Sequence, residues 1–139
     1  FKPMNEITRG EAAMILSREM QVEVTGVIHY DDVAKNYYAY DAIQEVAAAG
    51  IITGRVAGKF NPDSPLSRAE MATIMVRMYN LTGTTTTSFS DVPKKHWAHD
   101  SINTLYKNGL ITGYTDGTYK PDNNITRAEF ANILSKAIK

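Results

Sequence analysis

The pentapeptide ITRGE that begins at Ile7 returns as LSRAE at Leu66 and ITRAE at Ile125, 59 residues apart in both intervals. A strict period of that length makes the chain an array of one supersecondary unit, each copy needing another to bury its apolar face. Other segments keep the same register: Phe1-Lys2-Pro3, Phe60-Asn61-Pro62 and Tyr119-Lys120-Pro121; Asp32-Val33 and Asp91-Val92; Gly50 and Gly109; Ile52-Thr53-Gly54 and Ile111-Thr112-Gly113. The pattern divides the 139 residues into the second half of a first motif, 1–25, and two full motifs, 28–82 and 88–139. Gly83 to Ser88, GTTTTS, reads as a flexible linker.

Each unit reads as helix, loop, helix. From Tyr38 to Ala49 and from Trp97 to Asn108, apolar residues recur at helical spacing: Ile43, Val46 and Ala47, then Ile102, Leu105 and Tyr106. Gly50 and Gly109 stand where helices commonly end in a left-handed residue. The loops that follow are rich in Gly, Pro, Asp and Asn, as turns require. The second helices are predicted to start at Thr8, Ser67 and Thr126, each with a glutamate (Glu11, Glu70, Glu129) at capping-box spacing. Their stripes are Ala12, Ile15, Leu16 and Met20; Met71, Ile74, Met75 and Met78; Phe130, Ile133, Leu134, Ala137 and Ile138. Three equivalent one-sided faces predict an all-α fold: a central three-helix bundle of approximate threefold symmetry, with the first helices and loops packed outside as prongs. A Met-rich stripe can serve as an adaptable binding surface, but core filling is the simpler use.

Arg9, Arg68 and Arg127 then occupy the first helical position, where the peptide dipoles disfavour a cation by roughly 0.3–1 kcal/mol. For one such arginine the plain reading is a solvated side chain or a weak surface ion pair. Three in register invite another: a helix start with free N–H groups and a guanidinium receives a carboxylate or phosphate well. Lys+Arg 15 balances Asp+Glu 15, so there is no overall field to draw nucleic acid or an anionic membrane, and any anion binding is local. Near these arginines in the repeat lie Tyr38 and its counterpart Trp97, with Tyr40 and Tyr114, flat faces suited either to packing or to stacking on a sugar ring. Asp41, Asp100, Asp116 and Thr118 supply hydrogen-bonding groups for hydroxyls.

In order along the chain, FSDV, WA, GLITGYTDG and ITRAE, with YDDV, GIITG and LSRAE before them, resemble S-layer homology motifs, and the resemblance covers nearly the whole sequence. It implies an extracellular module of three motifs in a pseudo-trimer that binds secondary cell wall polysaccharide, commonly a pyruvylated N-acetylmannosamine, and attaches a larger surface protein to the wall or S-layer. It implies grooves between neighbouring motifs. On that basis Arg9 is expected to work with Tyr38, Asp41 and the loop around Arg55. Arg68 is expected to work with Trp97, Asp100 and the loop of Gly113, Tyr114, Asp116, Gly117 and Thr118. Arg127 would need the front half of the first motif, so its groove is expected to be defective. The first motif departs from the pattern at Gly10, and the second at Tyr38 and at GRVAG, which lacks an Asp116 equivalent.

Other chemistry finds less support. The chain has no cysteine, which excludes disulfides and thiolate sites, and no apolar run long enough for a membrane span. It opens on Phe1-Lys2-Pro3 and reads as an excised or processed piece. His96 and His99 share metal-site spacing without a third ligand, and Asp116, Asp122 and Glu129 lack the alternation of a calcium loop, so no metal or cofactor is expected. Asp31 and Asp32 are adjacent, a poor geometry for paired catalytic carboxylates, and Asp32 reads as a turn or cap residue. The expected function is a non-enzymatic wall anchor. The alternative is a structural protein–protein module of a surface layer, and a wall-active enzyme would need a catalytic domain outside these residues.

Overall fold

A computed structural model describes residues 4–20, 24, 26–54, 58–83 and 89–138. Phe1, Arg55 and the 84–88 stretch of the predicted linker lie outside the described residues. Five helices occur in order: α1 Arg9–Glu19, α2 Tyr40–Ala48, α3 Arg68–Tyr79, α4 His99–Lys107 and α5 Arg127–Ala137. Among the described residues there are isolated β-bridges but no strands, so the protein is all-α. None of these helices is long and apolar enough to cross a membrane. Two compact units form, Ile7–Pro65 with α1 and α2, and Phe1–Glu6 with Leu66–Lys139 carrying α3, α4 and α5.

The three helices α1, α3 and α5 begin as their sequences dictate. Thr8, Ser67 and Thr126 each accept a bond from the backbone N–H three residues on, while Glu11, Glu70 and Glu129 reach back to the cap residue's own N–H. Two of the four orphan amides at each start are thereby satisfied. The ends of α2 and α4 are equally local in origin. Gly50 and Gly109 take φ of 73° and 75°, and Ile51 and Leu110 donate back to the Val46 and Leu105 carbonyls, the Schellman pattern.

Helices α2 and α4 start two residues later than their periodicity predicts, at Tyr40 and His99. A turn precedes each, with Tyr40 N–H donating to the Tyr37 carbonyl and His99 N–H to that of His96. The alanines at the caps, Ala39 and Ala98, offer no side-chain acceptor, so the backbone turn supplies what the side chain cannot. Tyr38 and Trp97 therefore sit on turns, ahead of the helices rather than within them.

In the Ile7–Pro65 unit α1 packs on α2. Its core takes Ala12, Ala13 and Leu16 from α1, Ile43 and Val46 from α2, and Phe60 from the loop. In the larger unit α3 packs on α4 and α5, and Met71, Met75, Ile102, Leu105, Phe130 and Tyr119 are fully buried. Met71 and Met75 are core filling. The predicted stripes fade at their C-terminal ends, where Ile138 is 49% exposed. Phe60 and Tyr119 come from segments whose sequence reads as turn, yet each loses all its exposure to solvent.

Candidate functional site

The loop that carries Phe60 is held by a carboxylate and a guanidinium acting on one residue. Asp32 accepts from the Phe60 N–H at 3.0 Å and the Asn61 N–H at 2.8 Å, and Arg9 Nε donates to the Phe60 carbonyl at 2.8 Å. Arg9 also donates from Nη2 to the Thr53 carbonyl, and its guanidinium lies 4.9 Å from the Phe60 ring centroid. Asn61 sits at φ 57°, in the left-handed region that asparagine tolerates better than most residues.

The larger unit repeats the arrangement. Asp91 accepts from the N–H of Tyr119 at 2.9 Å and of Lys120 at 2.8 Å, and Arg68 Nε donates to the Tyr119 carbonyl at 2.9 Å. The Tyr119 hydroxyl closes the loop by donating to the Arg68 carbonyl at 3.1 Å. Arg68 stacks at 4.5 Å over Tyr119 and 5.2 Å over Tyr114, and Lys120 lies 4.3 Å from the Tyr114 centroid. Arg68 Nη1 pairs with Glu129 Oε2 at 2.9 Å.

Two of the three arginines are thus neither solvated nor weakly paired. Arg9 and Arg68 are 3% and 7% exposed, and a backbone carbonyl answers each Nε. The unfavourable dipole is outweighed by these bonds, since a hydrogen bond from a charged donor contributes about 1.5–3 kcal/mol. Asp32, read from sequence as a turn or cap residue, does sit in a turn, closed by the Val33 N–H on the Tyr30 carbonyl, and its carboxylate also clasps a peptide 28 residues away. The signal was present: Asp32 and Asp91 share the 59-residue offset with Phe60 and Tyr119, though spacing alone does not say that they touch.

The electrostatics follow from these bonds. Burial pushes the Asp32 carboxyl up, but the N–H groups of Phe60 and Asn61 outweigh it and hold the group below its ordinary value. Asp116 is also lowered, by the hydroxyl and then the N–H of Thr118, both bonding Oδ1. Burial pushes the Tyr119 phenol well above its usual range despite the Arg68 charge beside it.

Around Arg68 the larger unit opens a groove of about 190 Å³, walled by Gly113 and Tyr114 on one side and by Glu129, Asn132 and Lys136 of α5 on the other. Of the predicted partners, Arg68, Gly113 and Tyr114 meet there. Trp97, Asp100, Asp116, Gly117 and Thr118 are not among its lining. Trp97 is 65% exposed, stacked at 5.7 Å on His96, and Tyr38 is 64% exposed beside Tyr37 at 4.7 Å. Asp100 is exposed and bonded to His99 Nδ1 at 2.9 Å, whereas His96 Nδ1 accepts from the Ala98 N–H, so the two histidines serve separate local partners. Asp116 and Thr118 bond each other, and Gly117 at φ 84° turns the loop. In the Ile7–Pro65 unit Asp41, with Tyr40, Gln44 and Glu45, lines an open depression of about 580 Å³. Arg127 is half-buried, and its N–H donates to the Asn5 carbonyl at 2.9 Å. Asn132 and Lys136, which also line this groove, carry no motif that singles them out in the sequence.

Comparison with known proteins places these features. The S-layer homology domain profile matches residues 29–72 and 88–131. The chain is 32% identical over 155 residues to "Cell surface glycoprotein 1" of Acetivibrio thermocellus, an alignment that covers 100% of the chain and 7% of that protein. It is 31% identical over 150 residues to the "Cellulosome-anchoring protein" of the same organism, with 100% of the chain and 33% of that protein aligned. It is 30% identical over 145 residues to an "S-layer protein" of Bacillus thuringiensis subsp. finitimus, covering 100% of the chain and 18% of that protein. The chain spans a third or less of the length of these relatives.

Proposed function

Because the chain belongs to the S-layer homology domain family, we propose that it is a non-covalent anchor, without catalysis of its own, that holds a larger surface protein to the cell wall or S-layer. The ligand is secondary cell wall polysaccharide, bound through an acidic sugar of the pyruvylated N-acetylmannosamine type. One observation carries this reading: Trp97 and Tyr38, at the same register of two repeats, stand 65% and 64% exposed, each backed by a second ring. Aromatic side chains of this size normally contribute by burial. Trp97, stacked on His96, presents a rigid apolar face to a sugar, and Tyr38 leans on Tyr37 at a tilt. Anchoring is also the role named for the cellulosome-anchoring relative.

Within its own unit each arginine fixes a loop, Arg9 the one that bears Thr53 and Arg68 the one that bears Tyr119, and in the larger unit Arg68 and Tyr114 line the acidic-sugar groove. Asp41 and Asp100, both exposed, are placed to bond hydroxyls. The test is calorimetric titration of the protein with purified pyruvylated wall polysaccharide and with the same material after pyruvate removal. Loss of binding on depyruvylation supports the anchor. Equal binding to both forms would keep the wall anchor and rule out the acidic sugar, and binding to neither points instead to a protein–protein module, a role that exposed aromatic rings also serve.

A further inference from the structure

In the groove of the larger unit the arginine that first suggests an anion site is already engaged. Arg68 donates Nε to the Tyr119 carbonyl and Nη1 to Glu129 Oε2, both at 2.9 Å, and is 7% exposed. Glu129 commits its other oxygen to the N–H and hydroxyl of Thr126, at 3.0 and 3.1 Å. The pair is neutral as a whole, so it gives an incoming carboxylate little net attraction. Lys136 lines the same groove, is exposed, and among the described residues pairs with no carboxylate. Asn132, one turn earlier on α5, lines it too, and residues four apart on a helix lie on one face.

We propose that Lys136 and Asn132 are the ligand-contacting residues of this groove. The Lys136 ammonium meets the carboxylate of the acidic sugar, the Asn132 amide meets a neighbouring oxygen, and Arg68 is a positioning residue that holds the Tyr119 loop and Glu129 in place. This assignment rests on the polysaccharide reading above. Lys136 leaves the groove's side chains with a net single positive charge, the sign a carboxylate requires. At about 190 Å³ the groove is smaller than the 300–1,000 Å³ of pockets that enclose a drug-sized ligand, so it takes the charged edge of one sugar and not a buried oligosaccharide. A cation recurs at this register in the last turn of all three second helices, as Arg18, Arg77 and Lys136. Complementing the helix dipole accounts for a cation there. It does not account for one that shares a groove with Arg68 and Tyr114.

The experiment titrates the whole chain and its variants with acidic wall polysaccharide and with the same polymer after its carboxyl groups are reduced to alcohols. Lys136→Gln is expected to lose about tenfold in affinity for the acidic form, the scale of one charged hydrogen bond, and most of its preference over the reduced form. Lys136→Arg is expected to keep both, and Asn132→Ala to lose about threefold. Because Lys136 is exposed, Tm should move by no more than about 1–2 °C in these variants. If Lys136→Gln binds the acidic polymer as tightly as the unmodified chain does, the assignment fails while the polysaccharide reading stands. If the unmodified chain does not distinguish the two polymers, the acidic-sugar reading fails and takes this assignment with it.

Discussion

Replacing Asp32 by asparagine tests the clasp on which the Phe60 loop depends. The carboxylate accepts two backbone N–H groups, at 3.0 and 2.8 Å. Asparagine can accept one of them through Oδ1, but it turns an NH2 donor toward the other. One charge-assisted bond is lost and the second becomes neutral, at about 1.5–3 kcal/mol for a charged bond against about 1 kcal/mol for a neutral one. Asp32 is half-buried, so water makes good part of the loss, and the expected destabilisation is roughly 2–3 kcal/mol. For a chain of 139 residues this corresponds to a drop in Tm of roughly 6–12 °C by scanning calorimetry at pH 7. The sign of the pH dependence is set by the lowered carboxyl. A group whose folded pKa is depressed contributes fully above its unfolded value, about 3.9 for aspartate, and loses that contribution as pH falls through the folded value. The gap between the two proteins should therefore narrow below about pH 4. A variant within about 2 °C of the unmodified chain at pH 7, or a gap that persists in acid, would refute the clasp.

Gly113 stands at φ 74°, and a Cβ there would run into the Phe89 ring at Cε1. Gly113→Ala should lower stability by about 2–4 kcal/mol in urea unfolding, whereas Gly117→Ala, at φ 84° with open space around it, should show only the backbone cost of about 1–2 kcal/mol. Trp97→Ala should leave Tm within about 1–2 °C, because the side chain is largely exposed, yet abolish retention on wall polysaccharide. In the unmodified chain Trp97 is the sole tryptophan, so a fluorescence change on adding polysaccharide reports directly on that ring, and an unaltered spectrum counts against it as the platform. Arg68→Ala should weaken polysaccharide binding more than Arg127→Ala, since Arg68 holds the Tyr119 loop and lines the groove; equal losses in the two variants argue against that role.

Signals confined to four or five residues were legible in the sequence because the backbone answers them locally. The three capping boxes form as their Thr/Ser and Glu spacing requires, and Gly50 and Gly109 end α2 and α4 in left-handed turns that other residues enter at a cost. The 59-residue period and the order of the motifs likewise decided the family. Tertiary structure alone decided what the repeated polar residues do. Arg9 finds a carbonyl 51 residues away, Asp32 an N–H 28 away, and Arg68 a carboxylate 61 away. Such partners are chosen by how helix and loop pack, which no local pattern encodes. The exposure of Trp97 and the place of Lys136 in the Arg68 groove are of the same kind. An aromatic on a turn and a cation on a helix end are common in any sequence, and only the surrounding fold determines whether solvent, core or a groove receives them.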